Sequence, residues 1–117
     1  MGKLTTHVLD TVHGRPAAGM ALSLYRLDGE AAQLLRRVQL DADGRAGGPL
    51  LEGDALQAGR YRLVFDLADY FRGCGVALPD PPFLDRVPLE FGIADAASHY
   101  HVPLLASPWS YSTYRGS

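Results

Sequence analysis

Apolar and polar side chains alternate with a period of two along most of this chain, the pattern of half-buried β-strands. Between Arg60 and Asp66, Tyr61, Leu63 and Phe65 share one face while Arg60 and Arg62 share the other. Leu89, Phe91 and Ile93 repeat this against Glu90 and Gly92, and Met20, Leu22 and Leu24 oppose Ala21, Ser23 and Tyr25. Val38 and Leu40 follow Arg36 in a fourth run. Two further strands are predicted at the ends. In Leu4 to Asp10, His7 shares its face with Thr5 and Leu9. From His99 to Leu105, Tyr100, Val102 and Leu104 make the better core face, which turns His99, His101, Pro103 and Leu105 outward.

Turn formers separate these runs: His13-Gly14-Arg15-Pro16, Asp28-Gly29, Asp41-Ala42-Asp43-Gly44 and Glu52-Gly53-Asp54. Short strands at this spacing predict an all-β sandwich or barrel. One stretch departs from the pattern: Leu67 to Arg72 holds helix formers and is stopped by Gly73 and Gly75, which predicts a short helix. Leu78 to Pro88 carries four of the eight prolines and is predicted to be an extended irregular loop. With no repeat, linker or low-complexity segment, residues 1–117 are expected to form a single domain.

Size and charge narrow the function. A chain of 117 residues buries roughly two-thirds of its surface, enough for a true core. Thirteen acidic against 11 basic side chains give a formal charge of −2, and the basic residues are scattered, which argues against a nucleic-acid surface. No apolar run approaches the ~20 residues of a membrane span. The N-terminus lacks an apolar signal core, so a cytoplasmic location is expected. Cys74 is the sole cysteine, excluding an intrachain disulfide and a cysteine metal cluster; between Gly73 and Gly75 it is expected to be a small half-buried spacer.

The candidate chemistry lies in the histidines at 7, 13, 99 and 101. Three readings fit them: ordinary surface or interface residues; a metal site built from His99-x-His101 with His7 as third ligand; or a metal-free hydrolytic site in which a neutral imidazole takes a proton from water. Periodicity does not choose among these.

The ends of the chain do. The first reads Thr6-His7-Val8-Leu9-Asp10-Thr11-Val12-His13-Gly14-Arg15-Pro16-Ala17. The last runs from His99-Tyr100-His101-Val102-Pro103-Leu104 through Ser107-Pro108-Trp109-Ser110-Tyr111-Ser112-Thr113 to Tyr114-Arg115-Gly116-Ser117. Together they resemble the transthyretin-like family, and the closing tetrapeptide resembles the signature of its enzymatic branch, the 5-hydroxyisourate hydrolases. Trp109 stands where Tyr or Phe is common, and the proline-rich segment from Leu78 is unusual for the family.

That resemblance implies a sandwich of two four-stranded antiparallel sheets with one short helix. It also implies a homotetramer, a dimer of dimers whose sites lie in the channel between dimers, with Leu9, Pro103 and Leu105 as contacts across it. The implied reaction is hydrolytic opening of the six-membered ring of 5-hydroxyisourate, a purine-derived substrate, to 2-oxo-4-hydroxy-4-carboxy-5-ureidoimidazoline. The family's catalytic positions fall on His7, Arg45, His101 and Ser117, and its substrate contacts on His7, Arg45, Tyr114 and Ser117. His7 and His101 would form an acid/base pair, and Arg45 would stabilise the developing charge. His13 and His99 acquire no role, and no metal or organic cofactor is implied. The alternatives are a non-enzymatic carrier of a flat aromatic ligand, which two imidazoles and a guanidinium suit poorly, and a zinc hydrolase using His7, His99 and His101.

Overall fold

The computed structural model of the chain describes residues 1–116; Ser117 lies outside them. Nine strands, one α-helix and one turn of 3₁₀ helix (Gly53–Ala55, after β5) follow in order among these residues: β1 (Lys3–Asp10), β2 (Arg15–Pro16), β3 (Ala21–Asp28), β4 (Ala31–Gln39), β5 (Leu51–Glu52), β6 (Gly59–Asp66), α1 (Leu67–Gly73), β7 (Arg86–Ile93), β8 (Tyr100–Ala106) and β9 (Tyr111–Thr113). One sheet runs β4-β3-β6-β7, antiparallel throughout. The other runs β2-β1-β8-β9, with β5 also pairing β1.

The expected two-sheet sandwich with one short helix is therefore present, with two differences of detail. The second sheet gains a fifth, two-residue strand, and β1 pairs β8 in parallel, from Leu4↔Tyr100 to Asp10↔Ala106. Alternation fixes which face a residue takes and carries no information on strand direction, so the parallel pair was not legible locally. The proline-rich loop is also shorter than expected, because β7 already begins at Arg86 and includes Pro88. As the edge strand, β7 tolerates that proline.

The alternating apolar positions meet between the sheets. Leu4, Val8 and Leu104 from one side and Leu22, Leu24, Tyr61, Leu63 and Phe65 from the other are fully buried. Each such side chain contributes about 1.5–3 kcal/mol on leaving water. Helix α1 buries Leu67, Ala68, Tyr70 and Phe71. Its docking is polar as well as apolar: the Tyr70 hydroxyl donates to Oδ2 of the buried Asp10 at 2.7 Å. Among the described residues, no buried side-chain nitrogen or oxygen lacks a hydrogen-bond partner. None of the described helices is long and apolar enough to cross a membrane.

Candidate active site on the outer face of the sheet

With Leu4, Thr6, Val8 and Asp10 of β1 turned inward, Thr5, His7 and Leu9 are left half-buried on the outer face. In β8, Tyr100, Val102, Leu104 and Ala106 are buried, while His101 and Leu105 are half-buried; Pro103, expected to turn outward as a contact between dimers, is buried as well, with the tail paired alongside it. The parallel register then sets Thr5 beside His101, His7 beside Pro103 and Leu9 beside Leu105. His7 and His101 are thus diagonal neighbours on adjacent strands, about 8 Å apart by sheet geometry.

Arg45 reaches the same region by a different route. Asp41 closes a tight turn: its Oδ1 accepts the amides of Asp43 and Arg45, and its own amide donates to the Arg45 carbonyl. Gly44 fixes this turn against β1, because its carbonyl accepts the Val8 amide at 3.0 Å. Gly44 has φ +72, and a Cβ there would stand 2.6 Å from the Val8 carbonyl oxygen, so only glycine fits. The exposed Arg45 is therefore delivered beside the strand that carries His7.

These groups sense one another. The His101 pKa is lowered from the ordinary imidazole value of 6.5, first by burial, then by the positive charge of Arg45 and by His7. Burial and the neighbouring charge thus favour the neutral ring, the form able to accept a proton. The Thr5 hydroxyl lies 2.8 Å from its Nδ1.

The tail folds back along β8. After Leu104↔Thr113, the register continues to a bridge between His101 and Gly116, which places Tyr114 next to Pro103. Tyr114 is 60% exposed. Arg115 holds the tail down, donating to the His99 carbonyl at 2.9 Å with its guanidinium carbon 4.3 Å from the centre of the Tyr100 ring. Ser117, expected in the site, lies outside the described residues.

The structure thus sets His7 and His101 on one face, with Arg45 near enough for its charge to act on His101, and leaves His99 off it, exposed and one residue ahead of β8. Thr5 and Gly116 were not singled out as site residues in the sequence. The only signal was that Thr5 shares a face with His7.

Among the described residues, one group of three ligand-type side chains comes within 4.8 Å: Asp10, His13 and Cys74, not His7, His99 and His101. Its chemistry suits a metal poorly. His13 Nδ1 and Asp10 Oδ2 are 2.6 Å apart, a hydrogen bond, whereas two donors on a tetrahedral zinc stand roughly 3.3 Å apart. Asp10 Oδ1 already accepts the Val12 and His13 amides. The Arg15 guanidinium lies beside Cys74 and Tyr70, so a cation already sits against the group. The cluster ties the β1–β2 turn to α1.

A groove of about 380 Å³ lies between β7 and the tail, lined by residues including Glu90, Phe91, Tyr100 and Arg115. It contains none of His7, Arg45 or His101.

The model of the HIUase/Transthyretin family matches residues 4–116. The chain belongs to that family. It is 64% identical to 5-hydroxyisourate hydrolase 2 of Rhizobium meliloti over 99% of this chain and 97% of that protein. Among solved structures, (S)-allantoin synthase superposes with a TM-score of 0.94 at 49% identity; the match covers 99% of this chain and 44% of that one. Sea bream transthyretin in complex with thyroxine gives 0.86 at 28% identity, covering 97% of this chain and 94% of that one. The family includes both hydrolases and a thyroxine-binding transthyretin, and this chain is far more similar to the hydrolase.

Proposed function

We propose that this chain hydrolyses 5-hydroxyisourate to 2-oxo-4-hydroxy-4-carboxy-5-ureidoimidazoline. The observation that carries the reading is the 64% identity, over nearly the full length of both chains, to a protein named for that activity. The outer sheet face supplies chemistry that suits it. Water must lose a proton as its oxygen attacks the ring carbonyl, negative charge must be held on the carbonyl oxygen, and the departing nitrogen must be protonated as the C–N bond breaks. His7 and His101 act as the acid/base pair, a type of contribution worth about 10²–10⁴-fold. Arg45 offers a permanent cation with paired planar donors to the developing oxyanion. Tyr114 and Ser117 contribute hydroxyls that orient the ring or the water. No metal or organic cofactor takes part.

The active form is a homotetramer. His7, Arg45 and His101 occupy an open face shared with the half-buried Leu9 and Leu105, so a second subunit must close it into a water-excluding site. β7 and β9 are sheet edges free to pair with another copy. The enzyme works in the cytoplasm, as a single domain, without nucleic-acid or membrane partners.

Following the decay of 5-hydroxyisourate, made freshly from urate by urate oxidase, tests this directly. The purified chain accelerates the decay at catalytic concentrations. Saturable binding of an aromatic ligand with no acceleration would instead establish the carrier reading.

A further inference from the structure

We infer that Thr5 is a positioning residue for His101: its hydroxyl holds Nδ1 of the imidazole, so that Nε2 is the atom presented to substrate and water. The inference rests on the hydrolytic reading above and adds to it a residue and an atom.

The ring is held at two places. On one edge, Thr5 Oγ1 stands 2.8 Å from Nδ1, across the parallel register that pairs Thr5 with His101. At the other, Gly116 lies against the ring, so close that a Cβ added there would stand 2.9 Å from Cδ2 and 3.3 Å from Cγ. With Nδ1 engaged and the Cδ2 edge covered, Nε2 is the ring's remaining polar atom.

A hydroxyl is a fitting partner for an imidazole that must change protonation during turnover. It accepts from Nδ1–H when His101 is base or cation, and it rotates to donate to Nδ1 when the proton sits on Nε2. A carboxylate in the same place would favour the imidazolium and resist the neutral ring. Thr5 therefore fixes orientation without fixing charge. The groups that act on the ring electrostatically are Arg45, on its turn, and His7, on β1.

The test compares Thr5→Val, which keeps the β-branched shape and loses the hydroxyl, with Thr5→Ser, which keeps the hydroxyl. In the wild-type chain, ¹⁵N shifts of His101 report Nδ1 in a hydrogen bond, and 5-hydroxyisourate is turned over. Thr5→Val is expected to lower kcat by about 10- to 100-fold with a smaller change in KM, the scale of a misplaced catalytic group, and to alter the His101 ¹⁵N pattern. Thr5→Ser is expected to restore both. Should the valine variant fail to fold, Thr5→Ala carries the same prediction. Wild-type kcat with unchanged His101 shifts in the hydroxyl-less variant overturns the positioning role. Failure of the wild-type chain to turn over substrate overturns the hydrolytic reading itself, which separates the two.

Discussion

Gly116 and His101 exchange backbone hydrogen bonds: the Gly116 amide donates to the His101 carbonyl at 2.7 Å, and the His101 amide to the Gly116 carbonyl at 3.4 Å. The tail is thereby registered on the strand that carries the imidazole. Because a Cβ at 116 would stand 3.0 Å from the His101 Cβ as well as 2.9 Å from Cδ2, any side chain there moves the ring or lifts the tail. Gly116→Ala is expected to lower kcat about tenfold or more, while costing at most about 1 kcal/mol of stability, since the position is half-exposed and outside the core. Steady-state kinetics beside thermal unfolding checks this; unchanged kcat would contradict it.

Arg45 tunes His101 through its charge. A guanidinium disfavours a second cation nearby, so neutralising it in Arg45→Gln is expected to raise the His101 pKa. The value should stay below 6.5, because burial, the largest cause, remains. Imidazole resonances followed through a pH titration measure the shift. The acid limb of kcat/KM is expected to move to higher pH with it. A downward shift, or none, would show that Arg45 does not act on this ring.

Asp10 anchors the helix and makes stability pH-dependent. Burial opposes its ionisation, but hydrogen bonds from Tyr70 and His13 outweigh that and hold its pKa below the ordinary 3.8. The folded pKa being depressed, this contribution is present above about pH 4 and is lost as pH falls through the folded value. Tyr70→Phe is expected to cost about 1–2 kcal/mol in denaturant unfolding at neutral pH. Asp10→Asn is expected to flatten the acid limb of the stability profile, and an unaltered limb would count against this.

Local patterns carried much of the fold. Leu22 and Leu24, Tyr61 with Leu63 and Phe65, and Leu89 with Ile93 are buried as their alternation requires, and Leu67–Gly73 is the one α-helix among the described residues. The outward turn of His7 and His101 followed from the same alternation. Pairing across long sequence separation was not legible. The Thr5–His101 contact spans 96 residues and the Asp10–Tyr70 bond spans 60, and neither leaves a periodic trace. Arg45 illustrates the difference: Asp43-Gly44-Arg45 reads only as a turn until the Val8–Gly44 hydrogen bond places it against β1. The role of the tail was suggested by family likeness, and its attachment to β8 through Gly116 and Arg115 came from the folded chain.

The decisive measurement is the turnover of freshly generated 5-hydroxyisourate by His101→Asn. The side chain lies on the outer face and not in the core, so the variant should fold and assemble like the parent. Loss of the acid/base group is expected to lower kcat by about 10²–10⁴-fold. A folded, assembled variant with turnover comparable to the parent would remove His101 from the reaction and contradict the mechanism built on this face.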